Sequence, residues 1–468
     1  MHFLRASSVV GLMLFLCGCA SYNDRILPYY KNISAGQYQD AEKELDKNSL
    51  IQKPRNQLLF LMEKGRVSHL LGAYENSNRY FNEADKMLEM GMTSLADGAV
   101  GTLVNPMTQR YKGEDFEKFM IHYYKALNYM YLHQTDEAIV EARRISLQTQ
   151  EQGDKFNNKD KRYSQDAFSL MLQGLLYESN NDVNNAFIAY RNAVEVYQKS
   201  PDQTYYGTKM PVGLQQDVIR TAYLNGFTTE GAQYERAFGL KYKAEKPAEG
   251  GELIFFWENG LAPVKAEENL FFSLVRGDGG DLFFTNGVGG LVIPFNYSGD
   301  RSRVNTKSVE SLRAAVPKYI TQTPYFSSAV LGTTRGDINF EKAEDVNVLA
   351  VSTLQQRMLK EMGKLLSRLA VKKIAEYALR EGASNQKNGS LLEGLGYGMQ
   401  LYSLLSEKAD TRNWQTLPGS ISYARIPLQK GENQISMKLK NAQGVEETKT
   451  ITIQGTGGMQ FYNYATLR

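Results

Sequence analysis

Residues 65–84 read GRVSHLLGAYENSNRYFNEA, and the spacing of their small and aromatic residues recurs twice later in the chain. Here Gly65, Gly72, Ser77, Phe81 and Ala84 are separated by 7, 5, 4 and 3 residues. The same spacings fit two further sets: Ala126, His133, Ala138, Ala142 and Ile145, and Gly174, Asn181, Ala186, Tyr190 and Ala193. A partial copy contains Gly36, Ala41 and Leu45, and a degenerate copy contains Val218, Asn225, Glu230, Tyr234 and Ala237. This repetition predicts stacked pairs of antiparallel helices.

The residue types in the copies agree with such packing. Small residues such as Gly174 and Ala186 let two helices approach closely, and larger ones such as Phe81 and Tyr190 fill the space to the next helix. The pattern resembles tetratricopeptide repeats, and generic helical hairpins with coincidental spacing are the alternative. The second and third copies begin 61 and 48 residues after the copies before them, so the array carries insertions.

Residues 1–18 have the features of a bacterial export signal. Their apolar run is too short to span a bilayer, and it leads into Leu16-Cys17-Gly18-Cys19, which is typical of a lipobox. We therefore expect a lipoprotein whose mature chain begins at Cys19 and carries acyl chains such as palmitate there. An ordinary cleaved signal with a chance cysteine is the alternative. Ala20 favours the outer membrane, and the lack of an acidic cluster after it favours a periplasm-facing protein.

Composition argues against several classes of function. The formal net charge of +3 gives no case for binding nucleic acid. No cysteine follows Cys19, which excludes disulfides, thiolate catalysis and Cys-ligated zinc in the soluble part. His122 and His133 have no identifiable third zinc ligand, and no nucleophile elbow or phosphate loop is present. We therefore expect no metal, no cofactor and no enzymatic activity.

The expected fold class is α+β, in which a tetratricopeptide-like helical array at residues 19–242 is followed by a mixed, β-rich module at residues 252–468. The boundary is indicated by the charged stretch KYKAEKPAEGG, which contains Pro and Gly. Strands are expected at Leu253–Trp257, Leu270–Val275, Leu282–Thr285 and Leu291–Asn296. A C-terminal hairpin is expected where Ile435, Met437 and Leu439 alternate with polar residues and Thr448–Ile453 returns.

One long amphipathic helix is expected in this module at about Leu354–Arg380. It carries an apolar stripe and a basic stripe composed of Arg357, Lys360, Lys364, Arg368 and Lys372. Such a helix can meet anionic lipid, lipopolysaccharide phosphate or anionic glycan, and a solvated helix face packed on the β-module is the alternative. A second, glycine-containing helix is expected at Ser390–Lys408.

The insertion at residues 95–113 is a candidate partner-binding loop. Long loops in compact arrays are often functional, and a packed loop covering the concave side of the array is the alternative. Aromatic and charged side chains here and in the following helix are favoured anchors for a protein or peptide partner. The expected partner-binding residues are Asn105, Arg110, Tyr111, Lys112, Glu114, Tyr123, Tyr124 and Asn128.

Five segments resemble an uncharacterised family of bacterial tetratricopeptide-containing outer-membrane lipoproteins. They are YKGEDFE at 111–117, IHYYKALNY at 121–129, EAIVEARR at 137–144, WENGLAPVK at 257–265 and ADTRNWQTLP at 409–418. The resemblance covers most of the mature chain. It implies a role in the cell envelope alongside lipoprotein activators of peptidoglycan synthases, and it supplies no catalytic residues.

The leading hypothesis is a non-enzymatic envelope scaffold. Lipid at Cys19 would hold the chain at the outer membrane, and the groove of the array would bind a protein or peptide partner in peptidoglycan or envelope assembly. An alternative is an envelope hydrolase acting on glycan or peptide, suggested by the cluster Asp410, Arg412 and Trp414. A third hypothesis is a structural lipoprotein that helps to assemble a secretion or synthesis machine.

Overall fold

The computed structural model describes residues 22–93, 106–155, 163–244, 246–287, 290–297, 304, 306–309, 311–384 and 408–468. The expected export signal, the lipid site Cys19, the binding residue Asn105 and nearly all of the helix expected at Ser390–Lys408 lie outside this part of the chain. Those expectations therefore stay predictions.

The first half of the described chain is an array of paired helices, in which each helix contacts the next. In chain order they are α1 (Tyr22–Ser34), α2 (Tyr38–Lys47), α3 (Gln57–Leu70), α4 (Tyr74–Thr93), α5 (Asp115–Tyr131), α6 (Thr135–Lys155), α7 (Ala167–Ser179), α8 (Val183–Gln198), α9 (Val212–Leu224) and α10 (Thr228–Phe238). A short hairpin of β1 (Thr204–Tyr205) and β2 (Thr208–Lys209) separates α8 from α9. The predicted α-helical array is confirmed.

Each helix pair reverses at a residue in the left-handed conformation. The φ angle is 72° at Gly36, 74° at Gly72, 57° at His133, 60° at Asn181 and 78° at Gly226. Each of these residues lies two positions before the second helix of its pair. In the fifth copy the turn residue is Gly226 and not the predicted Asn225, so this copy begins one residue later than predicted. Glycine adopts the left-handed conformation without strain.

The predicted close approach of paired helices is confirmed at two equivalent positions. A Cβ atom on Gly65 would lie 2.6 Å from the ring of Phe81, and one on Gly174 would lie 2.3 Å from the ring of Tyr190. Only a residue without a side chain fits at either crossing, so the aromatic ring of the second helix packs directly on the backbone of the first.

The second half contains three four-stranded sheets and one long helix. The strands are β3 (Glu252–Leu261), β4 (Val264–Arg276), β5 (Leu282–Thr285), β6 (Val292–Pro294), β7 (Leu312–Ile320), β8 (Phe326–Thr333), β9 (Gly336–Asn339), β10 (Glu341–Glu344), β11 (Pro418–Pro427), β12 (Gly431–Asn441), β13 (Glu446–Gly455) and β14 (Met459–Thr466). The inner sheet has the order β10-β11-β3-β14, the outer sheet β13-β12-β8-β9 and the third sheet β6-β5-β4-β7. The long helix, α11, spans Val346–Ser384.

The inner sheet lies between the array and the outer sheet. Along its central strand β3, Leu253, Phe255 and Trp257 pack with the outer sheet, whereas Ile254 and Phe256 join the core of the array. The uninterrupted apolar run of β3 is typical of a strand that is buried on both faces. The two halves of the chain therefore share one hydrophobic core.

Helix α11 connects this core to a second one. Its first turns place Leu349 and Leu354 in the shared core, and Met362 and Leu366 then pack on the third sheet around Phe272. Among the described residues, none of the helices combines the length and hydropathy needed to cross a bilayer.

Candidate functional site

The concave face of the array is filled by the chain's own inner sheet. Tyr123, Tyr124 and Asn128 of α5 are fully buried. The ring of Tyr123 packs on Phe256 of β3 at 5.7 Å, and that of Tyr124 lies 5.9 Å from Trp414. This placement corrects the expectation that these three side chains face an open groove, because the C-terminal half of the same chain already occupies it.

A buried ion pair lies at the centre of this contact. Arg66 of α3 places Nη2 2.5 Å from Oε2 of Glu258 on β3, and neither side chain is exposed. The Tyr123 hydroxyl donates to the Glu258 carboxylate over 3.0 Å, and the Asn463 amide of β14 donates to it over 2.7 Å. The guanidinium of Arg66 also lies over the ring of Tyr124 at 4.5 Å. Burial alone would lower the pKa of Arg66, but the carboxylate of Glu258 raises it.

Neutral polar groups extend this network toward the outer helices. His69 Nδ1 lies 2.6 Å from Asn128 Oδ1, and the Asn128 amide donates to Ser77 Oγ over 2.8 Å. Burial, reinforced by the charge of Arg66, lowers the pKa of His69 to about 4. The imidazole is therefore neutral at physiological pH, and its neighbours meet its hydrogen-bonding needs.

A second charged cluster joins the start of α5 to the third sheet and α11. Glu114 forms ion pairs with Lys265 of β4 and, over 2.5 Å, with Arg357 of α11. Burial alone would raise the pKa of Glu114, but Arg357 and Lys265 lower it to about 2. Glu114 is thus a buried ionised group that fixes three elements together, which corrects its expected role as an exposed contact for a partner.

Two further buried carboxyls have no cation in direct contact. Glu63 of α3 accepts hydrogen bonds from the hydroxyls of Tyr29, Tyr30 and Thr416 over 3.0, 2.9 and 2.5 Å. Glu117 accepts from the Tyr111 hydroxyl over 2.6 Å and from the backbone N–H of Trp414 over 2.7 Å. Burial raises the pKa of both carboxyls to about 7, and the charge of Glu114 adds to the shift at Glu117. Tyr111, an expected partner contact, is buried here.

The cluster that suggested a hydrolase, Asp410, Arg412 and Trp414, holds separate parts of the fold together. Arg412 is buried and donates to both carboxylate oxygens of Asp410 over 2.8 and 2.6 Å and to Oδ1 of Asn56 over 2.8 Å. It also donates to the carbonyl oxygens of Pro106 and Gln109 at the end of the insertion, over 3.2 and 3.0 Å. Because buried Arg412 binds the backbone at Pro106 and Gln109, the described part of the insertion is a packed loop.

A third cluster contains three side chains of metal-ligand type, Asp85, His122 and Glu141. His122 Nδ1 lies 2.8 Å from Glu141. The Lys125 ammonium lies 2.8 Å from Asp85 and 2.9 Å from Glu141, in the position that a metal cation would need. The cluster is therefore an ion-pair network. Glu141 is buried within it, and His133 lies apart at a helix turn.

The expected site residues that remain exposed are Arg110 and Lys112. A separate open groove lies between α4 and the turn that joins α5 to α6. It encloses about 500 Å³ and is lined by Glu75, Asn78, Arg79, Asn82, Glu83, Lys86, Tyr129, Leu132 and Gln134. We call it the α4 groove. Both signs of charge line it, with the apolar groups of Tyr129 and Leu132 beside them.

Removing one partner of the buried ion pair should be costly. Arg66→Met leaves Glu258 buried without its cation, and we expect the free energy of unfolding to fall by about 3–5 kcal/mol in urea titrations. The double variant Arg66→Met/Glu258→Met should recover part of this loss, since no lone charge remains. The surface variant Lys43→Met, which breaks an exposed pair with Asp40, should cost at most about 0.5 kcal/mol. An equal, small effect of both single variants would contradict the assignment.

Glu63 should make stability depend on pH. Its pKa is about 7 in the folded chain, against an ordinary value of 4.5, so it stabilises the fold at low pH and this contribution is lost as the pH rises through about 7. In Glu63→Gln a neutral amide replaces the carboxyl, and the three hydroxyls can rotate to pair with it. We expect the free energy of unfolding of the wild type to fall more steeply than that of the variant between about pH 5 and pH 8.

His69 in the unfolded chain and Glu117 in the folded chain also titrate in this range, but both proteins contain them, so the difference between the two curves isolates Glu63. Urea titrations at a series of pH values measure that difference. Parallel curves would show that Glu63 is ionised in the folded chain throughout.

No family model and no curated protein matches the sequence. Among solved structures, the apo form of RapI matches at 15% identity and a TM-score of 0.32, covering 50% of this chain, which spans 58% of RapI. MamA matches at 15% identity and a TM-score of 0.26, and the match covers 47% of this chain and 96% of MamA. BtubC from P. vanneervenii matches at 13% identity and a TM-score of 0.28, and the match covers 46% of this chain and 80% of BtubC. Similarity this low supports no inference about function.

Proposed function

We propose that this protein is a lipid-anchored, non-enzymatic scaffold of the cell envelope that binds a protein or peptide partner. The anchor is Cys19, in the lipobox-like sequence at residues 16–19. The helical array supplies a rigid surface for the partner, because its position is fixed by the shared core and the buried charges. The proposed location is the periplasmic side of the outer membrane, with a role in peptidoglycan or envelope assembly.

The partner site is proposed to be the α4 groove rather than the concave face. The observation that carries this assignment is that the groove remains open while the concave face is filled by the inner sheet. Arg79 and Glu83 offer opposite charges to a peptide, and Leu132 offers apolar surface. Tyr129 adds an aromatic group of the kind enriched in protein interfaces.

A hydrolase has weaker support. The residues that suggested it, Asp410, Arg412 and Trp414, are used to hold the insertion and to pack against α4 and α5. A group that takes part in catalysis must reach its substrate. Arg412 and Trp414 are buried, and Asp410, which is 28% exposed, is paired with Arg412. The chemistry of the site therefore favours binding over catalysis.

The α4 groove can be tested by capture of envelope proteins with the full-length chain. Arg79→Glu/Leu132→Asp reverses one charge and adds another in the groove, so we expect recovery of the partner to fall at least about tenfold. Arg335→Glu/Val445→Asp makes the same two kinds of substitution at exposed positions of the outer-sheet hairpins and should leave recovery unchanged. Recovered proteins are compared by quantitative mass spectrometry.

Cys19→Ser, examined in the same fractions, should move the protein out of the membrane fraction and remove palmitate from it. A groove variant that recovers the same proteins as the control variant would overturn the partner site. A Cys19→Ser protein that still carries palmitate, or that stays in the membrane fraction after a high-salt wash, would overturn the anchor.

A further inference from the structure

The apolar side of α11 is committed to the interior of the protein. Met362, Leu366 and Leu369 pack with Phe272 and Leu312 of the third sheet. The helix therefore cannot turn its apolar stripe toward a bilayer, and only its opposite side is available to another surface.

That opposite side is strongly basic. Between residues 355 and 374 the helix has a single acidic residue, Glu361, and the basic residues that share the side opposite its apolar stripe are Arg357, Lys360, Lys364, Arg368 and Lys372. Arg357 lies 3.1 Å from Glu361 and also pairs with Glu114. Lys360 and Lys364 are exposed one turn apart. We call these two lysines, with the exposed apolar group of Val371 beside them, the basic face of α11.

Three consecutive contacts connect this helix to the beginning of the described chain. The Asn23 amide donates to the carbonyl oxygen of Lys265 over 2.9 Å, Lys265 pairs with Glu114, and Glu114 pairs with Arg357. Lys360 follows Arg357 by one helical turn. Tyr22, which precedes Asn23, is buried, so the position of the first described residue is fixed.

A lipid on Cys19 would be close to this point. Tyr22 follows Cys19 by three positions, and this stretch spans at most about 11 Å even when fully extended. The membrane that holds the anchor must therefore approach the end of the molecule where α1, β4 and α11 meet. The attraction between basic side chains and anionic headgroups acts within about 8–10 Å at ordinary ionic strength.

We propose that the basic face of α11 rests on the anionic phospholipid headgroups of the membrane that carries the anchor. This inference rests on the proposed lipid anchor, which places the membrane close to α11. The basic face itself can bind anionic headgroups without the lipid. Lys360 and Lys364 supply the charge, and Val371 contacts the interface without inserting a helix. The contact orients the array, so that the α4 groove keeps a fixed position relative to the bilayer.

The test uses the soluble chain that lacks residues 1–19 and sedimentation with vesicles. We expect it to bind vesicles of phosphatidylcholine mixed with phosphatidylglycerol, to bind pure phosphatidylcholine at least roughly tenfold less, and to be released by salt. Lys360→Glu/Lys364→Glu should lower binding to the anionic vesicles by roughly tenfold or more. Lys430→Glu/Lys449→Glu, which makes the same substitutions near the outer sheet, should change it less than about twofold.

Circular dichroism confirms that each variant is folded, and the salt dependence of the wild type tests the proposal without any variant. Equal binding to both kinds of vesicle, equal binding by the two double variants, no binding at all, or binding to purified peptidoglycan in place of vesicles would each overturn it. Because no lipid is attached in this assay, the result is independent of Cys19. Absence of palmitate from the exported protein would overturn the anchor alone.

Discussion

The contact between Arg66 and Glu258 is the constraint on which the arrangement of the molecule depends. Two charges that are fully removed from water are tolerated only when they pair closely and the remaining hydrogen bonds are made. Tyr123 of the array and Asn463 of β14 donate to Glu258, and the Thr416 carbonyl oxygen accepts from Arg66 Nε over 3.2 Å. Arg66 Nη1 has no hydrogen-bond partner among the described residues, and the guanidinium lies over the ring of Tyr124. The pair therefore forms only when α3, α5, β3 and β14 are all in place, so it selects one register of the inner sheet on the array.

This constraint determines which surfaces remain for function. A helical array of this kind offers a concave face, but here that face is covered by the inner sheet and is inaccessible to another molecule. What remains is the outside of the array, including the α4 groove, and the far side of α11. The proposed roles of these two surfaces are complementary, because one would hold a partner while the other would hold the molecule in a fixed orientation on the membrane.

The sequence predicts those features that depend on local spacing. The repeats predicted the helix pairs and their glycine crossings, alternation predicted β12 and β13, and the apolar run at residues 253–257 predicted the strand β3. It could not predict the filled groove, because pairing of β3 with β11 joins segments more than 150 residues apart and β14 adds in parallel from the chain end. Tyr123 and Arg412 belong to residue types that also form binding sites, and only burial distinguishes the two uses. Glu258 within an apolar strand was the available signal, since a carboxylate there requires a buried cation.

The central claim is that the helical array and the inner and outer sheets unfold as one cooperative unit. Both tryptophans, Trp257 and Trp414, lie in the C-terminal half and are buried, whereas most of the helical signal comes from the first half. Urea unfolding of the chain lacking residues 1–19, followed by tryptophan fluorescence and by circular dichroism at the helical band, therefore observes the two halves separately. The account predicts a single transition with the same midpoint and slope for both signals. Two separated transitions, with the helices unfolding independently of the tryptophans, would contradict it.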